Sequence, residues 1–215
     1  MVGTAIVDFN MGANFFTDNR AALFAAAETT LIKVLSMAPQ YPRALTYLAG
    51  VHIYTARAAQ GIIECERALA LDRNLAAVHA GIGMAKNFLG RGEETEAHIQ
   101  EALRLSPRDI FAHRWMFFAG AAKLFHCDDA EAVAWLRRSI EANRNFPMAH
   151  FLLAAVLALL ESLDEARAVA KAGLTLDPGF TIRRYRANAV SDNPIFLAGR
   201  ERAHEGMRMA GVPAE

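Results

Sequence analysis

Histidines are the residues whose type and spacing come nearest to those of a metal site. Three of the seven, His79, His113 and His150, recur at intervals of 34 and 37 residues, early in the first helix of successive repeated segments. Equivalent points on neighbouring packed helices lie about 8–10 Å apart, whereas zinc ligands lie about 2.0–2.1 Å from the metal. We therefore predict that the three imidazoles fill half-buried helix positions and share no metal.

The two cysteines offer a second kind of chemistry. Cys127 follows His126, but this pair lacks the further ligands that a zinc site needs. Cys65 lies one helical turn before Leu69 on the predicted inward stripe of its helix, which favours a buried structural thiol over a nucleophile. The remaining histidines are scattered: His52, His98 and His204. The sequence predicts no metal site and no cofactor.

Other polar clusters also have structural explanations. Glu93-Glu94 and Asp128-Asp129 open predicted helices, where carboxylates meet the positive end of the helix dipole. Gly81-Ile82-Gly83 lies inside a helix with no strand before it, so it does not predict a phosphate loop. The basic run from Arg183 to Arg186 could bind an anionic partner, yet it is more typical of a solvated helix face. We predict that the chain is not an enzyme.

The elements that position these residues follow from a recurring phrase. It combines a small residue, a large apolar residue and a second apolar residue two positions on, before a polar residue that ends a helix. Four copies begin at Ala68, Ala102, Ser139 and Gly173, and a fainter one begins at Val34. The steps between them are 34, 34, 37 and 34 residues. A repeating step of about 34 residues predicts a helix-turn-helix solenoid, and hence an all-α fold.

Pairs of a large and a small residue support this prediction. Leu48-Ala49, Ile82-Gly83 and Leu153-Ala154 each stand in the first helix of a unit, where two antiparallel helices must approach closely. With the period, these pairs resemble the tetratricopeptide repeat (TPR) family over Tyr41 to Pro178. The resemblance implies a right-handed superhelix of four units, 41–73, 74–107, 108–144 and 145–178. Residues 1–40 are predicted to form a partial or irregular repeat, and residues 179–215 to carry a C-terminal capping helix.

The register of the units predicts the helices. The third unit departs from it, because Met116-Phe117 replaces the large-small pair, and its three extra residues are assigned to the loop from Phe125 to Asp129. A helix start is predicted at Thr17-Asp18 and another at Asn193-Pro194. The predicted helices are 2–13, 18–37, 42–56, 59–71, 75–89, 92–105, 109–124, 128–142, 147–160, 163–176 and 194–210, with a short basic helix within 180–189.

Composition restricts the partners and the compartment. Lys plus Arg and Asp plus Glu each number 23, so no net field favours nucleic acid. Residues 1–20 lack the pattern of a signal peptide. The most apolar run, Phe151 to Leu160, is shorter than the roughly 20 residues of a membrane span. With only two cysteines, these features favour a cytoplasmic chain that binds neither nucleic acid nor membrane.

The C-terminal phrases carry a second resemblance. Leu176-Asp177-Pro178-Gly179-Phe180, Ser191-Asp192-Asn193-Pro194 and Gly206-Met207-Arg208-Met209-Ala210-Gly211 resemble the TPR region that ends bacterial adenylate/guanylate cyclase-type and winged-helix regulator proteins. This resemblance implies a bacterial cytoplasmic module that forms the C-terminal part of a longer signalling protein. It does not imply cyclase activity, because nothing in the sequence reads as the strands of a catalytic sheet.

The candidate binding surface is the groove that the first helices of TPR units line. At the groove positions the family's pattern selects an aromatic and methionine-rich set with few charges, which is typical of a surface for an apolar helix or for self-association. The predicted partner-binding residues are Arg43, Tyr54, Met84, Asn87, Phe88, Phe111, Arg114, Phe118, Met148 and Phe151.

Several interpretations of this groove stay open at the level of sequence. The leading one is a protein-protein interaction module that binds a protein or peptide and forms the regulatory or oligomerising part of a bacterial signalling protein. The alternatives are an all-α small-ligand-binding or enzymatic domain that uses the interior of the superhelix, and a purely structural homodimer. A further interpretation is that part of the groove is covered within the chain, because large exposed apolar patches are rare on monomers.

Overall fold

The computed structural model describes residues 2–13 and 19–215. In these ranges the chain forms α-helices and one 3₁₀ turn (Gly92–Glu94), with no β-strand, so the all-α prediction is confirmed. The predicted helix start at Thr17-Asp18 lies outside the described residues. The helices are α1 (Val2–Ala13), α2 (Arg20–Met37), α3 (Pro42–Tyr54), α4 (Ala58–Leu71), α5 (Ala76–Phe88), α6 (Thr95–Leu105), α7 (Ala112–Phe125), α8 (Asp129–Ala142), α9 (Pro147–Leu159), α10 (Leu163–Leu176), α11 (Ile182–Ala187) and α12 (Pro194–Met209).

Four hairpins form the body of the molecule: α3 with α4, α5 with α6, α7 with α8, and α9 with α10. A short loop joins the two helices of each hairpin, and its middle residue has a positive φ. These residues are Ala56 (59°), Gly90 (77°), Cys127 (63°) and Glu161 (61°). Only glycine adopts this left-handed conformation without steric cost. The four loops therefore share one geometry, although only one of them carries the residue that favours it.

The third unit corrects the sequence-based register. Its hairpin loop, residues 126–128, is as short as the others, so the extra residues are not in the predicted loop from Phe125 to Asp129. They lie earlier, because the linker 106–111 is longer than the linkers 72–75 and 143–146, and α7 is one residue longer than α5 and α9. Positions can be aligned by counting back from the left-handed residue of each loop. In this alignment, each equivalent position in the first helix of unit three lies three residues later in the sequence than predicted.

This displacement changes which small residue closes the third hairpin. Counting from Cys127, the pair equivalent to Leu48-Ala49 is Ala119-Gly120, so Met116-Phe117 is not the large-small position. A Cβ on Gly120 would lie 2.7 Å from Leu136 Cγ in α8. In the second helices the first residue of each recurring phrase is also buried at a helix crossing: Ala68, Ala102, Ser139 and Gly173. The small residues let the helices of a hairpin pack closely.

The two ends of the chain fold back onto the first helices of the units. We call the surface formed by α3, α5, α7 and α9 the inner face. At the N-terminal end, α1 packs on α2 and α3. At the C-terminal end, α12 packs on α9 and α7. Neither α12 nor any other helix of the described ranges has the length and apolar character needed to cross a membrane.

Glycines allow α12 to lie very close to the inner face. A Cβ on Gly199 would lie 2.4 Å from Phe125 Cβ, and a Cβ on Gly206 would lie 2.3 Å from the backbone oxygen of Ala155. An ion pair adds to this contact, since Arg202 binds both carboxylate oxygens of Asp129 at 2.8 and 2.6 Å. The C-terminal helix is therefore an integral part of the packing of units three and four.

Candidate functional site

The part of the inner face left open between α1 and α12 is a cleft of about 540 Å³. Its walls come from α1, the whole length of α3, α5 and the first half of α7, with Cys65 of α4, and they are brought together by the stacking of units one to three. Apolar and aromatic side chains predominate. The lining residues are Phe9, Asn10, Tyr41, Pro42, Arg43, Thr46, Tyr47, Gly50, Ile53, Tyr54, Cys65, Leu75, Ala77, Val78, Ala80, Gly81, Met84, Phe111, Arg114, Trp115 and Phe118.

Aromatic rings form one end of the cleft. Phe9 of α1 packs edge-on against Tyr47 and Tyr54 of α3, with ring centroids 5.4 and 5.9 Å apart. Gly50 makes room for this ring, because a Cβ there would lie 2.7 Å from two atoms of Phe9. Edge-to-face pairs of this kind add to the stability gained from burial alone. The aromatic ring of α1 thus closes the N-terminal end of the inner face.

Two arginines supply the cationic groups of the lining. Arg43 stands thirteen residues before the left-handed Ala56, and Arg114 stands thirteen before Cys127, so they occupy equivalent positions in units one and three. The equivalent residue of unit two is Ala77. Arg114 Nη2 donates to the backbone oxygen of Ala13 at 3.2 Å and to Tyr54 Oη at 3.0 Å. Arg114 therefore links α7 to α1 and α3 across the cleft.

Six of the ten residues predicted to bind a partner line this cleft: Arg43, Tyr54, Met84, Phe111, Arg114 and Phe118. Two others, Asn87 and Phe88, are buried beneath the C-terminal segment, residues 179–215, rather than in the cleft. Phe196 of α12 lies against Phe88 with a centroid separation of 5.2 Å. Ser191 Oγ donates to the backbone oxygen of Phe88 at 2.6 Å.

The prediction is wrong for Met148 and Phe151 as partner-accessible residues. Both have 0 % exposed surface. Phe151 stacks on Phe180 with a centroid separation of 3.7 Å, and a Cβ on Gly173 would lie 2.9 Å from its ring. The C-terminal segment covers the first helix of unit four, so these two side chains belong to the core. The interpretation that part of the groove is covered within the chain is correct for this end.

Sequence reasoning missed several lining residues. Phe9 and Asn10 come from α1, which stands outside the repeat, and Tyr41 and Tyr47 lie beside the selected groove positions. Trp115 is missed because it occupies the position of Val78 in unit two, which lines the cleft but is not one of the selected groove positions. The signal that could have given the correct register is the hairpin loop, because Gly90 marks the left-handed position of unit two. Counting back from the corresponding residue of unit three, Cys127, aligns Arg114 with Arg43.

The three histidines at the repeated spacing contact other groups of the chain and do not form a cluster. The Nε2 atoms of His79 and His150 lie 3.3 and 3.0 Å from the backbone oxygens of Arg73 and Arg144, in the linkers before their helices. His113 is not in the equivalent position, because it lies one turn nearer to the start of its helix, where Nε2 lies 3.3 Å from Asn143 Nδ2. No cluster of three metal-ligating side chains occurs within residues 2–13 and 19–215.

The cleft itself offers little acid-base chemistry. No Asp, Glu, His, Lys or Ser belongs to its described lining. Burial raises the pKa of the Cys65 thiol to about 12, so the thiolate that a nucleophile requires is not formed at neutral pH. The described lining is therefore suited to binding and has no paired nucleophile and base.

The fold resembles that of solved TPR proteins. TTC0263, a TPR protein of Thermus thermophilus, matches with a TM-score of 0.67 at 20% identity, covering 86% of this chain and 97% of that one. PilW, a type IV pilus biogenesis factor, matches with a TM-score of 0.69 at 19% identity, covering 92% and 90% of the two chains. YrrB, a TPR protein with an unusual peptide-binding site, matches with a TM-score of 0.56 at 21% identity, covering 84% and 90%.

These matches show a TPR-like solenoid fold. The chain matches no family model and no curated protein sequence.

Proposed function

We propose that this chain is a protein-interaction module that binds a short apolar segment of a partner protein in the cleft between α1 and α7. The observation that carries the proposal is the open, aromatic cleft on an inner face that is otherwise covered by the chain's own helices. Apolar surface that a chain leaves open between covered regions is typical of a binding site.

The volume of the cleft limits the size of the bound segment. Two turns of an α-helix with its side chains occupy roughly 1,000 Å³, from a diameter of about 10–12 Å and a rise of about 1.5 Å per residue. The cleft measures about 540 Å³. It accommodates a few side chains of an extended segment, and an apolar helix, the partner suggested by the sequence, would have to lie mainly outside it.

A substitution that fills the cleft tests this proposal. Ala77 is exposed at the start of α5 and lines the cleft, so Ala77→Trp places an indole in it without disturbing the core. Ala172→Trp, on the exposed face of α10, is the matched control. Peptides selected from a random display library on the wild-type chain are expected to lose binding to Ala77→Trp and to keep binding to Ala172→Trp. Selection of no peptide, or equal binding to both variants, would overturn the proposal.

The second candidate, small-ligand binding, is favoured by the same volume, which falls within the roughly 300–1,000 Å³ of small-molecule sites. Thermal stabilisation of the wild-type chain by members of a small-molecule library, lost in Ala77→Trp, combined with no selected peptide would favour it. The regulatory role in a bacterial signalling protein rests on the resemblance of the C-terminal phrases, and homodimer formation rests on the apolar groove. Both stay predictions, and a concentration-dependent mass in solution tests the second.

A further inference from the structure

The cleft has a charge property that its apolar character does not explain. It contains two guanidinium groups, those of Arg43 and Arg114, and no Asp or Glu belongs to its described lining. The chain as a whole has equal numbers of basic and acidic residues. The imbalance is therefore local to the cleft.

Elsewhere in the described structure many cations pair with carboxylates. Arg57 binds Glu28 at 2.6 Å, Lys123 binds Glu96 at 2.8 Å, and Arg202 binds Asp129 at 2.6 Å. By contrast, no ion pair joins Arg43 or Arg114 to a described residue, and the hydrogen bonds of Arg114 go to the uncharged oxygens of Ala13 and Tyr54. A guanidinium has five donors, and a carboxylate is the acceptor that it binds most strongly.

The placement of the two arginines suits a ligand that crosses unit two. They occupy equivalent positions in units one and three, on either side of unit two, whose equivalent residue is Ala77. Small residues continue this open stretch, since Ala80 and Gly81 also line the cleft. Apolar rings lie on both sides, Phe9 towards unit one and Trp115 towards unit three. A bound segment can therefore place apolar side chains on both sides of a central charged group.

We infer that the cleft recognises a partner segment in which an acidic side chain, Asp or Glu, is flanked by apolar side chains, with Arg43 and Arg114 supplying the positive charge that attracts the carboxylate. This inference rests on the proposed function and specifies its partner. It is specific to an internal carboxylate, because the apolar surface on both sides requires the bound chain to continue in both directions.

Two blocked peptides test the inference. The probes are acetyl-Gly-Ser-Leu-Phe-Asp-Phe-Leu-Ser-Gly-amide and the same peptide with Asn in place of Asp, each labelled with fluorescein and measured by fluorescence anisotropy. They differ by one charge and share all apolar groups. We expect the Asp peptide to bind about tenfold or more tightly than the Asn peptide, because a hydrogen-bonded charge pair is involved, and to weaken as salt rises.

Matched variants locate the effect. Arg43→Gln and Arg114→Gln are each expected to remove most of the difference between the peptides. Arg73→Gln, an exposed arginine outside the cleft, is expected to preserve it. Arg114 also contacts α1, so Arg114→Gln changes this contact as well as the charge of the cleft. The result for Arg43→Gln is therefore the decisive one.

The outcomes separate this inference from the proposed function. Equal affinity for the Asp and Asn peptides, or a difference that Arg43→Gln leaves unchanged, would overturn the charge inference while leaving the cleft as a peptide site. Failure to select any peptide from the display library, together with no binding of either blocked peptide, would overturn both. Failure of both peptides alongside cleft-dependent binding of library-selected peptides without acidic residues would overturn the inference alone.

Discussion

At the scale of single residues, the four hairpin loops have the same backbone geometry although the residue at the central position differs. Each loop needs one residue with a positive φ, and Ala, Gly, Cys and Glu fill this position in the four units. A non-glycine residue has a steric cost of about 1–2 kcal/mol there. Gly90 is further constrained, because a Cβ would lie 2.5 Å from Asn193 Oδ1 of the C-terminal segment.

Opposite substitutions at two of these loops are expected to have opposite effects. Glu161→Gly should raise the free energy of unfolding by about 0.5–1 kcal/mol, since relief of the left-handed strain exceeds the entropy that glycine gains in the unfolded chain. Gly90→Ala should lower it by at least about 1 kcal/mol, because it adds strain and a contact with Asn193. Urea unfolding measures both. A lower urea midpoint for Glu161→Gly would contradict the argument.

At the scale of elements, the sequence predicts helices well and their register less well. The small residues and the period locate α3 to α10, because each hairpin can close only where a side chain is small. They do not locate the extra residues of unit three, since an insertion in a linker and one in a hairpin loop give the same period. The predicted positions of His113 and Met116-Phe117 are wrong for this reason.

The C-terminal helix is predictable from the sequence, but the place where it packs is not. The start at Asn193-Pro194 is confirmed, and Asn193 Oδ1 accepts from the backbone nitrogen of Ile195 at 2.9 Å. The packing of α12 on α9 and α7 depends on contacts between residues that are far apart in the sequence, such as those of Gly199 and Gly206. Phe151 is likewise buried against Phe180, which lies after the last unit, and a repeat pattern does not contain this contact.

A side chain on the close-packed face of α12 should therefore destabilise the molecule. Gly206→Val places methyl groups against the backbone of Ala155 and should lower the free energy of unfolding by at least about 2 kcal/mol. It should also raise the binding of a hydrophobic dye, because separation of α12 exposes Phe125 and Phe196, which pack on each other across this contact. Ala198→Val, on the exposed side of the same helix, is the control. Equal stability of the two variants would show that α12 does not pack as described.

At the scale of the whole molecule, buried and half-buried imidazoles along the chain link stability to pH. Burial is the largest cause lowering the pKa of four histidines, His52, His98, His113 and His204. In the unfolded chain their pKa returns to about 6.5. Below that pH the unfolded state binds more protons than the folded state, so the stabilisation present above it is lost as the pH falls towards the folded values.

The free energy of unfolding is therefore expected to fall between about pH 7.5 and pH 5.5, a range in which carboxylates with an ordinary pKa of about 4.3 contribute little. Urea unfolding at several pH values measures the slope. His98→Gln removes one of the four groups and should give a shallower slope. A slope of the opposite sign, or one that is unchanged in this variant, would show that the buried imidazoles do not control it.

The hydrogen bonds that join the C-terminal segment to unit two have a consequence for the order of folding. Ser191 and Asn193 bind the backbone oxygens of Phe88 and Leu89, at sequence separations of 103 and 104 residues. Arrays of helical hairpins otherwise form by local contacts, and contacts of long range slow folding. On the ribosome the aromatic residues Phe88 and Phe125, which pack on Phe196 of α12, emerge before that helix. The nascent chain therefore passes through a stage in which these two side chains are exposed, and chaperones that bind apolar segments would act at this stage.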